Sequence, residues 1–187
     1  MKKILFATSN GGKLLEAEKF LSPLGYEIEH LNISYPEIQS SKLEEVAAFG
    51  IEWILKEEKV KGSVMIEDAG LFVHALNDFP GVFSADTFKT IGLDGILRLM
   101  EGEEDRAAHF ESCIAYCEKE SEPMFFKGRV DGKIALEPKG EHGFGYDPIF
   151  IPKGEEKTFG EMEAEEKNRH SHRGKSLKKM VEHLAKR

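Results

Sequence analysis

The hydrophobic pattern opens with a short apolar run, "KKILFA", which predicts a buried strand. "KLLEAEKFLSPLG" follows with Leu14, Ala17 and Leu21 on one side. Pro23 and Gly25 mark its end, so it reads as a helix. "YEIEHLNI" alternates and predicts a second strand, and "SYPEIQSS" reads as a loop. "LEEVAAFGIEWILKEEK" is the clearest internal helix, with Leu43, Val46, Ala47 and Ile54 on one stripe. "SVMIEDAG" reads as a brief strand running into two acids and a glycine turn. "LNDFPGVFS" reads as a Pro-Gly loop and "GLDGILRLMEG" as a short helix.

From Ala107 to Leu136 the pattern changes. "AHFESCIAYCEK", "PMFFKGRVDG" and "KIALEP" read as consecutive strands with tight links. "HGFGYDPIF" reads as a loop entering another strand. "SLKKMVEHLAK" is a final helix, with Leu177, Met180, Val181 and Leu184 at i, i+3, i+4 and i+7. Strands alternating with helices, then a β-rich stretch, predict a mixed α/β fold with a cleft between two lobes. Residues 1–187 carry no internal repeat or flexible linker, so they are expected to form a single domain.

Charge changes the picture at one end only. The net charge is −8, yet Lys167 to Arg187 holds eight Lys or Arg and one Glu. That segment is +7 and the rest is −15. A solvated helix face accounts for most of these lysines, and a local site for a small anion is the other reading. No broad basic surface with interleaved aromatics is present, which argues against nucleic acid as a partner. No apolar run approaches the 18 or so residues that span a membrane, and the N-terminal run is too short for a secretory signal. The expected location is the cytoplasm. Cys113 and Cys117 would share one face of a strand roughly 13 Å apart at about 3.3 Å per residue, too far for a disulfide. They read as inert buried thiols.

Several segments can carry chemistry. In "TSNGGK", Thr8, Ser9, Asn10, Gly11, Gly12 and Lys13 join a strand to a helix, where backbone N–H groups attract anions. The stretch lacks the first Gly and the final Ser/Thr of the common nucleotide loop. A simple N-cap with a glycine turn reads equally well. "IEDAG" sets Glu67 beside Asp68, an oxygen pair suited to Mg²⁺ or to accepting a proton from water. An acidic turn is the bland reading. Glu37 in "YPEIQ" says little by itself. "EKNRHSHRGK" packs Lys167, Arg169, His170, His172, Arg173 and Lys175 before the last helix, with Asn168 or Ser171 as its cap. In "GFGYDP", Phe144 and Tyr146 can stack on a base or pack in a core, and Asp147 can read a base edge. "GFGYDP" itself has Pro148 in place of a third Gly and is no dinucleotide fingerprint. "HSH" lacks the companions of a zinc site.

Taken together, "TSNGGK", "PEIQ", "EDAGL", "FPGVFS", "GFGYDPIF" and "EKNRHSHRGK" resemble, in order and rough spacing, the inosine/xanthosine triphosphate pyrophosphatases. The likeness runs from residue 4 to about residue 180. It implies an elongated mixed sheet flanked by helices, with the nucleotide in a central cleft between two lobes. It implies Mg²⁺-dependent cleavage of ITP, dITP or XTP to the monophosphate and pyrophosphate, by a homodimer. Carried over by position, Thr8 to Lys13 would hold the triphosphate, and Glu37, Glu67 and Asp68 would hold Mg²⁺. Asp68 would also take the proton of the attacking water. Ala69, Phe144, Gly145, Tyr146, Asp147, Lys167, His172 and Arg173 would contact the nucleotide. Two positions depart: Asp86 stands where many bacterial members have Arg, and Phe83 replaces Tyr. A pyrophosphatase of the septum-inhibitor-like group and a non-catalytic nucleotide sensor are the alternatives.

Overall fold

Among the described residues of the computed structural model, twelve strands and α-helices alternate much as the pattern predicts. The described residues are 2–33, 35–36, 38–57, 60, 62–118 and 121–186. The first half runs β1 (Lys2–Ala7), α1 (Gly11–Leu21), β2 (Tyr26–Leu31), α2 (Leu43–Glu57), β3 (Ser63–Val73), β4 (Phe79–Gly81) and α3 (Ser84–Leu99). The second runs β5 (Ala107–Cys117), β6 (Met124–Ile134), β7 (Phe150–Pro152), α4 (Ala164–His170) and α5 (His172–Leu184). One sheet has strand order β2-β1-β3-β5-β6-β7, with β4 paired to β3. It is mixed: β2 and β3 lie parallel to β1, whereas β4 and β7 run antiparallel to their neighbours.

The chain divides into two compact units. The first holds residues 1–68, 112–127 and 176–187, and the second 69–111 and 128–175. In the first, Ile4 and Phe6 of β1, Ala17 and Leu21 of α1, and Leu177 and Met180 of α5 form one apolar core. The helical stripes of α1, α2 and α5 face the core as their spacing demands, with Leu14 and Val181 partly buried at its margin. In the second, Leu71, Val73, Phe110, Phe150 and Phe159 form another core. Cys113 and Cys117 are free and buried on β5, as expected. Burial pushes the Cys113 thiol up to about 12. Among the described residues, no helix is long and apolar enough to cross a membrane.

Four expectations need correction. β3 does not stop at Glu67-Asp68 but continues to Val73, so the acids sit inside a strand. "PMFFKGRVDG" and "KIALEP" do not make two strands, because β6 runs unbroken to Ile134. Both misreadings have one cause. A Cβ on Gly70 would come within 2.2 Å of the Gly81 carbonyl oxygen, and one on Gly132 within 2.3 Å of the Ile151 oxygen. These glycines admit a neighbouring backbone and do not turn the chain. α3 begins at Ser84, far earlier than "GLDGILRLMEG", and breaks at Gly92. The basic "turn" is helical: α4 and α5 meet at Ser171.

Candidate active site

β1 ends at Ala7, and Thr8, Ser9 and Asn10 lead into α1. Asn10 is its N-cap: Oδ1 accepts the Gly12 and Lys13 amides at 2.9 and 3.3 Å. The Asn10 amide in turn donates to the Thr8 hydroxyl at 3.1 Å. The cap reading is therefore realised. Gly11 keeps open space, with nothing within 4 Å of a Cβ built there. A helix N-terminus with Ser9 and Gly11 exposed can still receive an anion.

Lys13 folds back from α1 onto β3. Its Nζ donates to the Glu67 carbonyl at 2.9 Å and lies 2.8 Å from Glu67 Oε2. Glu67 Oε1 accepts a hydrogen bond from Ser112 of β5 at 2.7 Å, and Ser112 meets Ser176 of α5 at 2.9 Å. A buried carboxylate thus has a cation and a hydroxyl, which lets it remain charged. Asp68 is half-buried. Successive strand residues point to opposite faces, so Glu67 and Asp68 are not the side-by-side pair that an acidic turn would give. Glu37 lies outside the described residues. Ser112 and Ser176 were not singled out in the sequence. Their signal was a hydroxyl placed on an otherwise apolar strand or helix face.

The second unit gathers the remaining candidates. Asp147 Oδ2 accepts the Phe144 amide and the Lys167 ammonium, both at 2.8 Å. Each side chain of this ion pair is 4% exposed. Lys167 Nζ lies 4.6 Å from the Phe144 ring centroid, and the Arg173 guanidinium carbon lies 5.2 Å from it. Two cations on one ring form a cation–π cluster. His172 stacks on Phe110 at 4.6 Å and 15°. Ser171 caps α5 by accepting the Gly174 amide at 3.0 Å. A Cβ on Gly174 would come within 1.9 Å of the Asn168 carbonyl oxygen, so only Gly lets the helices meet this closely.

Tyr146 is not an open stacking face. It is buried in the second core, edge-on to Phe88, and its hydroxyl donates to the Ser84 carbonyl at 3.0 Å. Burial pushes its phenol up. Asp147 likewise has its carboxylate engaged by Lys167 and Phe144. Gly145 adopts φ 61° and carries the chain past them. Ala69 is half-buried on β3 directly after Asp68. Phe110 is a further supporting residue, and as one apolar strand residue among several it carried no signal. Asp86 pairs with Lys89 on the exposed first turns of α3, and Phe83 is half exposed.

The fold and these two residue sets define a mixed α/β protein with a capped anion-type helix start wired to an acid, and a buried cation–aromatic cluster. The chain belongs to the Ham1 family, whose model matches residues 4–183. It is 54% identical over 182 residues to the dITP/XTP pyrophosphatase of Thermococcus kodakarensis, covering 97% of each chain. It is 52% identical to the enzyme of the same name from Methanopyrus kandleri, over 96% of this chain and 95% of the relative. Among solved structures, a HAM1 protein from Coxiella burnetii superposes with TM-score 0.86 at 32% identity over the whole of both chains. The Staphylococcus aureus Ham1 protein gives 0.84 at 29% identity over 98% of each.

Proposed function

We propose that the chain hydrolyses ITP, dITP and XTP to the monophosphate and pyrophosphate. The reading follows the names of relatives that are 52 and 54% identical. The structural observation that carries it is Lys13, at the start of α1, held 2.8 Å from Glu67 with Asp68 next in the strand. One cation and one buried acid thereby meet at an anion-type helix start, with the second acid next in the strand.

The residues suit Mg²⁺, because Glu67 and Asp68 offer only oxygen. Glu37, Glu67 and Asp68 would hold it. When bound, it supplies positive charge to the phosphate oxygens. The remaining work falls to the chain. Ser9, the Gly11 amide and Lys13 grip the triphosphate, with Lys13 exchanging a Glu67 oxygen for a phosphate oxygen. Asp68 orients the water and takes its proton. Positioning and charge, with no covalent intermediate, suffice for this class of reaction.

Base choice rests on donors. Hypoxanthine and xanthine carry a 6-oxo acceptor where adenine carries a 6-amino donor. Arg173 and either His172 or a backbone N–H are the donors assigned to it. Adenine would leave each unpaired, at about 1–3 kcal/mol apiece. Two such losses give roughly 10²- to 10⁴-fold discrimination. Guanine has the same 6-oxo group and is not separated by this pair. Phe144 and Lys167 face the nucleotide in this reading, while Asp147 holds both in place. A cytoplasmic homodimer completes it, with exposed Phe79, Phe83, Phe88 and Ile91 as apolar surface for the second copy.

The test is pyrophosphate release from ITP, dITP, XTP, GTP, ATP and dUTP, with and without Mg²⁺. The expected result is fast, Mg²⁺-dependent release from the first three. Preference for dUTP would move the chain to the septum-inhibitor-like group. Binding without release from any triphosphate would make it a sensor.

A further inference from the structure

The second unit holds a group of ligating side chains that the nucleotide reading does not use. His74 follows β3, Asp78 lies in the turn before β4, and His109 sits on β5. One ligand atom from each lies within 4.8 Å of the others. His74 Nε2 and His109 Nδ1 are 2.9 Å apart. The rings are tilted by 54°, so the nitrogens meet while the rings do not stack on each other.

The surroundings match those of a metal-bound imidazole. His109 is buried, and it stacks on Phe72 at 4.8 Å and 3°. Its other nitrogen, Nε2, faces the Glu111 carboxylate at 3.5 Å. A carboxylate on the outer nitrogen fixes the tautomer and turns the inner lone pair toward the ion. Arg129, the nearby cation, is engaged by Glu111 at 3.2 Å and by Asp131 at 2.8 Å. The turn brings in the third ligand through unusual backbone. Asn77 and Asp78 both have positive φ, 53° and 64°. Such conformations are sparsely populated by side-chain-bearing residues and persist where the surroundings demand them. The Asp78 amide donates to the Val73 carbonyl at 3.0 Å, which locks the turn.

We propose that His74, Asp78 and His109 form a structural site for a borderline divalent cation of the zinc class. Two imidazoles and a carboxylate select such an ion over Mg²⁺, which prefers oxygen ligands. His74 and Asp78 are exposed, so water can fill the fourth position. Tetrahedral bonds of about 2.0–2.1 Å put ligand nitrogens roughly 3.3 Å apart, so the pair opens by about 0.4 Å. Exposed His74 can make that movement. The ion would tie the turn after β3 to β5. The same hairpin leads to Ser84, which accepts from the Leu71 amide at 2.8 Å and whose carbonyl holds Tyr146. Its occupancy would stiffen the support of Tyr146 without touching the reacting groups.

The test uses the full chain stripped with chelator and titrated with Co²⁺, read by visible d–d absorption, with Zn²⁺ as competitor. One equivalent per chain is expected, displaced by Zn²⁺ and unaffected by excess Mg²⁺. At a hundredfold excess over Kd, Zn²⁺ should raise Tm by about 5–10 °C. H74A should weaken Co²⁺ binding at least tenfold, and D78N, which keeps a residue suited to positive φ, should also weaken it. Both should match the Tm of stripped wild type. Absence of saturable binding, unchanged binding in H74A, or displacement of Co²⁺ by Mg²⁺ would each overturn the proposal.

Discussion

Two ion pairs, one in each compact unit, set the two residue sets apart. Lys13–Glu67 and Lys167–Asp147 both close at 2.8 Å. Lys13 keeps 17% of its side chain exposed, whereas Lys167 keeps 4%. Lys13 is exposed enough to reach a phosphate, but Glu67 is only 1% exposed, so the exchange needs a second cation to take over the buried carboxylate. With both side chains of Lys167–Asp147 buried, neither charge can leave without stranding the other in the interior. The first pair suits a site that changes partners during a reaction. The second suits a frame that holds Phe144 and Arg173 in place.

The comparison can be broken most sharply at Asp68. Asp68→Asn keeps the shape of a half-buried strand residue and removes the proton acceptor. Pyrophosphate release should fall about 10²- to 10⁴-fold while ITP binding by calorimetry persists. Near-normal turnover would remove Asp68 from the chemistry.

The next largest effect should be on stability, in the Lys167–Asp147 pair. Lys167→Met leaves Asp147 buried without its ammonium partner, and should cost about 3–5 kcal/mol in denaturant unfolding. Adding Asp147→Asn should restore part of that loss. Lys13→Met takes the ammonium from Glu67, which is 1% exposed, so it should also cost stability, and unlike Lys167→Met it should raise KM for the triphosphate as its main kinetic effect. An equal rise in KM from the two lysine changes would erase the distinction drawn between the pairs.

Arg173→Ala comes next. It removes a guanidinium from the Phe144 ring and a donor from the proposed base contact. The ITP-over-ATP ratio in kcat/KM should narrow about tenfold or more. An unchanged ratio would place base reading on other residues.

Much of this was legible in the chain, and the limits have physical causes. The α1, α2 and α5 stripes gave correct helices because apolar spacing reports burial directly. Glu67, Asp68 and Lys13 stood out as charges next to apolar runs. Gly70 and Gly132 misled because a glycine that admits a neighbouring backbone looks like one that turns. The aromatics of "GFGYD" were ambiguous for a related reason. A ring's sequence neighbours do not say which face is filled, and only the tertiary fold buries Tyr146 and leaves Phe144 under two cations. Ser112, Ser176 and Phe110 act on partners far along the chain, so a local pattern can mark the two hydroxyls on their apolar faces but cannot assign their partners.

The smallest effect separates two roles that the acids share on paper. Ser112→Ala removes the hydroxyl that donates to Glu67 Oε1 at 2.7 Å. Glu67 then keeps Lys13 but loses one donor, at about 1–3 kcal/mol for a buried acceptor. For a chain of this length that is a Tm drop of roughly 2–12 °C. If Glu67 only holds Lys13 and a metal ion, the loss in kcat should stay within about tenfold, because the proton acceptor is elsewhere. If Glu67 itself takes the proton, loss of a donor alters its basicity and orientation together. The pH–rate profile would then move with kcat in Ser112→Ala and stay in place in Asp68→Asn. That outcome would transfer the catalytic role from the half-exposed acid to the buried one. The Lys13–Glu67 pair would then be part of the chemistry and not merely its grip on phosphate.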